Sequence, residues 1–205
     1  MPVSTVSIPV GQWFTSPEGV RWWFDSGSFA LDFAYTGAMG GNTAWDRLRA
    51  PDDLTAWLHD RFPVVIGTAR SRDLFDAISL RDAVGRMAVA AAHGEPLRTS
   101  DIDLVNLYAA TPDIPPVLAG GSRQAGRSVQ TVAQALSTIA RDAVDLFDPA
   151  NAGRIRECSG TDCGIVYLDT SRAATRRWCS MQRCGNRAKV RAHRARARQV
   201  VETAA

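Results

Sequence analysis

No apolar run in this 205-residue chain approaches the roughly 20 residues that a bilayer-crossing helix needs, which excludes a membrane-spanning α-helix. The opening MPVSTVSIPVGQW has neither the charged start nor the long apolar core of a secretory signal, so a cytoplasmic setting is expected. There is no G-x-S-x-G elbow, no phosphate-binding loop and no dinucleotide fingerprint, and the expectation is a protein without catalytic residues. The glycine-rich GGSRQAGR at 120–127 lacks the Lys-Ser/Thr pair of a phosphate loop and reads as a turn. Histidine is scarce, and His59, His93 and His193 stand too far apart to form a zinc-ligand pair. No internal repeat and no long low-complexity tract is present.

Lysine is almost missing as well. Lys189 is the only one, so the positive charge is carried by arginine, and its distribution is uneven. Residues 1–150 hold 12 arginines and 17 acids, a net charge of −5. Residues 151–205 hold 12 arginines and lysines against 4 acids, a net charge of +8. A basic segment of this kind suits a nucleic acid or another anionic surface. Two units are expected, 1–150 and 151–205, with the seam at FDPANAGR (147–154), where Pro149 blocks helix continuation and Asn151 and Gly153 favour a turn.

Hydrophobic residues make up 45% of the chain, enough for a real core. SIPVGQWF and GVRWWFDSG, rich in aromatic residues and bounded by Gly, Pro and Ser, predict short strands or a hairpin. The spacing in SFALDFAYTG fits helix or strand. APDDLTAWLHD has a proline and two acids where a helix begins. Leu74, Ala77, Leu80, Val84, Met87 and Ala91 recur at helical intervals and stop at Gly94 and Pro96. A further helix is expected over TSDIDLVNLYAA, capped by Thr99 or Ser100. Another is expected over 128–147 on Val129, Val132, Leu136, Ile139, Ala143 and Phe147. The fold class is therefore mainly α with minor β: a helical N-terminal domain plus a small four-cysteine module.

All four cysteines of the chain fall in that module, as Cys158-x4-Cys163 and, fifteen residues later, Cys179-x4-Cys184. In a reducing compartment thiols stay unpaired, so metal ligation is favoured over disulfides. Two short-spaced pairs across a loop can present four thiolates tetrahedrally to one Zn²⁺; an iron–sulfur cluster is the alternative metal reading. Glycines 160, 164 and 185 sit beside the pairs, and IVYLD (165–169) alternates like a short strand. Such a closed site would hold shape and do no chemistry.

CSGTDCGIVYLDTSRAATRRWCSMQRCGNRAKVRAHRAR resembles the CGNR zinc finger, whose namesake tetrapeptide is Cys184-Gly185-Asn186-Arg187 here. YLDTSR, RRWCSM and CGNRAKVRAHR all match that pattern. Upstream, FDSGSFALDFAYTG and RLRAPDDLTAWL resemble the ABATE domain that commonly precedes this finger, with Tyr35 standing where the family pattern has asparagine. The resemblance implies a bacterial transcriptional regulator that binds double-stranded DNA through the finger, with the front domain as sensor of a small-molecule effector.

The arginines fit that implication physically. A helix starting at Asn186, capped by its side chain, aligns Arg187, Arg191, Arg194 and Arg198 in one stripe, with Lys189 and Arg196 turned away. Arg172, Arg176 and Arg177 in the finger loop add to the expected DNA contacts, together with Lys189. Trp178 reads as a filler beside the metal. In the front domain Trp22, Trp23, Asp25, Asp32 and Tyr35 form a candidate ligand site, or else a buried hairpin with acids at its rim. A homodimer would suit a two-half-site operator. RNA binding, or a small-molecule enzyme carrying the finger as an accessory, are the other readings.

Overall fold

The computed structural model describes residues 8–16, 19–39, 45–115 and 129–203, so the turn expected at 120–127 lies outside the described residues. The chain opens with an antiparallel hairpin, β1 (Gln12–Thr15) and β2 (Arg21–Phe24), in the register Phe14↔Trp22 and Trp13↔Trp23. Period-two alternation sends Phe14, Trp22 and Phe24 into the core and leaves Trp13 and Trp23 outside in an edge-on contact 5.5 Å apart.

The segment whose spacing fitted both states forms a short helix, α1 (Phe29–Ala34). All six of its residues are buried, which is why no face could be read from its pattern. Ser28 accepts a hydrogen bond from the Leu31 amide. Asp142 accepts from Ser28 Oγ at 2.7 Å and from the Ala30 amide at 2.8 Å, placing a carboxylate at the positive end of the helix.

The helix α2 (Pro51–Arg61) starts at its proline, and the Asp53 carboxylate accepts from the amides of Arg49 and Ala50. The longest helix of the front half, α3 (Ser71–Ala92), buries Ala77, Leu80, Val84 and Met87 of the expected stripe and ends at His93, followed by Gly94. The helix α4 (Thr99–Ala109) departs from expectation at its start. Thr99 is its first residue, and Arg98 precedes it without a side-chain cap, so neither Thr99 nor Ser100 acts as the cap. The helix α5 (Val132–Leu146) begins later than the apolar pattern suggested. Thr131 accepts from the Gln134 amide while Gln134 Oε1 accepts from the Thr131 amide. Val129 is left exposed ahead of it, where Gln130 forms a parallel bridge to Ile66.

After a 3-10 turn at Pro149–Asn151, the strands β3 (Ile155–Glu157) and β4 (Val166–Leu168) form a second antiparallel hairpin. A wide helical turn, Met181–Gly185, then runs directly into α6 (Asn186–Thr203). One apolar core runs from Phe14, Leu31 and Leu136 to Ile165, Tyr167 and the cysteines. The second hairpin therefore lies against the helical part, not apart from it. Among the described residues, no helix is long and apolar enough to cross a membrane.

Candidate metal centre and basic helix

The second hairpin carries the first cysteine pair on its turn. Cys158 donates its amide to Ile165 O at 2.8 Å and Cys163 donates to Gly160 O at 3.1 Å, which curls the chain around the two sulfurs. A Cβ at Gly160 would lie 3.2 Å from both Cys163 Cβ and Cys184 Sγ, so the turn closes this tightly because that side chain is missing. The second pair comes from the opposite side. Cys179 donates its amide to Cys158 Sγ at 3.3 Å, and Cys184 sits within the wide turn whose Gly185 amide donates to Ser180 O.

The four sulfurs converge. Cys163–Cys179, Cys163–Cys184 and Cys179–Cys184 are separated by 3.5, 3.5 and 3.6 Å, and all four lie within 4.8 Å of one another. These separations are far from the roughly 2.05 Å of a disulfide. They lie close to the edge of a tetrahedron with Zn–S bonds of about 2.3 Å, an edge of about 3.8 Å. Cys158, Cys179 and Cys184 are buried and Cys163 is partly exposed. Donation from the Cys163 and Cys179 thiols pulls Cys158 below the ordinary thiol range and the same sharing pushes Cys163 and Cys179 above it, so these sulfurs hold their protons as one cluster that a cation would displace. The donor set fits one structural Zn²⁺ per chain, which would add four covalent-strength tethers to a module with little core of its own.

Around this centre the loop 169–178 is fastened by one acid and one arginine. Asp169 is fully buried. Burial pushes its pKa up, but the hydroxyl and amide of Ser171, the amide of Arg176 and the charge of Arg156 outweigh this and leave it below the usual carboxylate range. Arg176 was expected to face DNA and instead turns inward. Its guanidinium donates to the carbonyls of Trp178 (3.0 Å), Asp25 (2.7 Å) and Cys179 (2.6 Å) and lies 4.1 Å from the Tyr167 ring centre. The physical reason is that two carbonyls of the sharp turn, Trp178 and Cys179, and that of Asp25 from the front part converge where a planar five-donor fork can reach all of them.

The other expected contact residues are disposed differently. Arg172 and Arg177 are exposed on the loop, with Arg177 5.2 Å from the half-buried Trp178 ring. Arg187, Lys189, Arg191 and Arg194 are all exposed on α6, and Arg191 donates to Thr161 Oγ1. The side chain of Arg198 lies outside the described residues, although its backbone continues the helix. Asn186 does not cap α6. It has helical dihedrals, its backbone amide donates to the carbonyls of Met181 and Arg183, and its side-chain Nδ2 donates to Gln182 O at 3.2 Å, because the preceding turn already leads the chain in.

The five front-domain candidates do not converge on one pocket. Asp32 is fully buried, accepting from the Gly11 amide (2.6 Å), Ser26 Oγ (2.7 Å) and Arg61 (3.3 Å). Burial raises its pKa to about 6 despite those partners. Tyr35, also fully buried, donates its hydroxyl to Val166 O (2.8 Å) and accepts from the Val166 amide (2.7 Å), tying α1 to β4. Trp22 is buried under Arg183, whose guanidinium lies 4.0 Å from its ring centre. Trp23 and Asp25 line a surface depression beside Arg176 and Trp178. Arg183 was missed by the sequence reading; its place inside the turn between Cys179 and Cys184 was the available signal.

Four thiols closed around one tetrahedral position define a structural zinc finger, here built onto a helical domain and continued into an exposed basic helix. Residues 27–148 match the ABATE family, described as "Putative stress-induced transcription regulator", and the chain belongs to that family. Residues 154–197 match the CGNR zinc finger. No curated protein matches the chain. The family description is that of a regulator, not of an enzyme.

Proposed function

We propose that the chain is a DNA-binding transcription regulator in which residues 151–205 engage double-stranded DNA and residues 1–150 sense a small molecule and hold a homodimer together. The observation that carries this reading is the exposed basic helix α6. Arg187, Lys189, Arg191 and Arg194 all face solvent on a scaffold anchored by the cysteine cluster, while the rest of the chain bears net negative charge. A helix about 10–12 Å across fits a major groove about 12 Å wide. Arginine supplies both a fork for phosphate and a bidentate match to guanine. Arg172 and Arg177, exposed on the loop, would add backbone contacts in this reading, whereas Arg176 supports that loop from within.

Selection of bound fragments from random duplex DNA is the direct test. A recovered consensus should lose affinity with Arg191→Ala plus Arg194→Ala, and the slope of log affinity against log salt should fall by about 0.9 per phosphate contact removed. Failure to enrich any duplex, or an unchanged slope in a zinc-loaded double variant, refutes the reading. RNA that is bound more tightly than duplex DNA at equal salt would transfer it to the RNA alternative.

A further inference from the structure

A groove of about 600 Å³ separates the first hairpin from α6. Val20 and Trp22 form one wall, and Arg183, Arg187, Arg191 and Arg194 come from the turn and helix opposite. Arg21 adds a further cation, and among the described residues Asp162 is the one acid on the lining. Five cations against one carboxylate is an imbalance that no other acid among the described lining residues relieves. The contrast is with the comparably large hollow beside α3, whose Arg81 and Arg86 are paired to Asp46, Asp82 and Asp101.

Two features make the groove more than a charged face. Arg183 already stacks 4.0 Å from the Trp22 ring centre, so a planar cation and an aromatic ring stand side by side at its floor. The indole N–H of Trp22 is buried and has no acceptor among the described residues. Buried donors are normally satisfied, so this is a polar atom held without a partner in a residue that lines the groove. Apolar walls with a few convergent polar groups are the usual make-up of small-molecule sites.

We infer that this groove binds a small organic anion with a planar body, its carboxylate or phosphate held by the arginines of α6 and its flat face against the Arg183 guanidinium, which rests on the buried Trp22 ring. The site differs from the one expected in the front domain alone: it is assembled from both ends of the sequence, and of the five residues proposed there only Trp22 takes part. Its regulatory consequence rests on the DNA reading above. A ligand here occupies Arg187, Arg191 and Arg194, the cations that would otherwise meet phosphate, so ligand and DNA compete for the same side chains.

Calorimetric titration of the zinc-loaded full chain with AMP and with benzoate tests the site without DNA, and adenosine serves as the uncharged control. AMP or benzoate should bind saturably at about one per chain, and adenosine at least about tenfold more weakly, because it lacks the group the arginine forks hold. Arg191→Ala plus Arg194→Ala should weaken the anion by about tenfold or more, whereas Arg196→Ala, on the opposite face of the same helix, should change it less than about twofold. Trp22→Phe should weaken binding while leaving zinc content unchanged. The inference is overturned if neither anion saturates, if adenosine matches AMP, or if Arg196→Ala costs as much as the double variant. A chain that binds the anion but no duplex keeps this site and loses the DNA reading; one that binds duplex but neither anion does the reverse.

Discussion

Replacing Arg176 by lysine separates a bracing role from a DNA contact, because lysine keeps the charge and loses the fork. In the folded chain the Arg176 guanidinium joins three carbonyls, those of Asp25, Trp178 and Cys179, and rests on Tyr167. An ammonium can approach one of those carbonyls and cannot span the set. Loss of two hydrogen bonds to a charged donor, each worth about 1.5–3 kcal/mol, would cost about 3–6 kcal/mol in a dry site. Arg176 is only half-buried, so water replaces part of the loss and about 2–4 kcal/mol remains. For a chain of this length that is a fall in Tm of about 4–16 °C. Thermal unfolding followed by circular dichroism measures it, with zinc release to a colorimetric chelator as a second signal, since the Cys179 carbonyl is among the anchors. A variant with wild-type Tm and wild-type zinc retention would refute the bracing role. A loss of DNA affinity with no loss of stability would return Arg176 to the phosphate contacts.

Three further outcomes follow from the same geometry. Tyr35→Phe leaves the buried amide and carbonyl of Val166 without their partner and should destabilise the chain by about 2–6 kcal/mol in urea unfolding, as each abandoned group costs about 1–3 kcal/mol; a change below about 0.5 kcal/mol would show the contact to be dispensable. Asp32 titrates near pH 6 when folded and at 3.8 otherwise, so the folded state holds the extra proton between those values. Its contribution is complete below pH 3.8 and is lost as pH rises through 6, a change of about 3 kcal/mol. The stability difference between wild type and Asp32→Asn should therefore shift in the variant's favour from pH 4 to pH 7 (both read by urea unfolding), and a pH-independent difference would contradict this. Finally, Cys179→Ser or chelation should abolish stoichiometric zinc in a metal assay and lower the melting of the front helices as well, because Tyr35 and the shared core join them to β4; front helices that melt unchanged would show the two parts to be independent.

What was legible in the sequence is what local chemistry dictates. Cysteine spacing places four sulfurs around one point because each pair lies on its own tight turn, and the separation of the pairs needs no knowledge of the rest of the chain. The same holds for the first hairpin, α2 and α3, where alternation, a leading proline and a 3.6-residue stripe are short-range signals. Element starts were less legible: apolar Val129 extended the α5 pattern, yet the side chain of Thr131 decides where the amides are capped. The composition of α6, basic with little apolar surface, likewise announced an exposed helix.

The direction in which an individual polar side chain points was decided by the tertiary structure alone. Arg176 and Arg177 are neighbours of identical type; one turns inward because the carbonyl of Asp25, 151 residues away, meets those of Trp178 and Cys179 around it, and the other remains at the surface. Tyr35 meets Val166 across 131 residues, and Gly27 admits β4 only because a Cβ there would stand 2.4 Å from Leu168 O. The groove joining Trp22 to Arg187, Arg191 and Arg194 arises in the same way, from segments more than 160 residues apart. Period and spacing encode which face of an element is apolar, but the partners of a buried hydroxyl or guanidinium are set by which segments the core brings together, and that is a property of the packed chain.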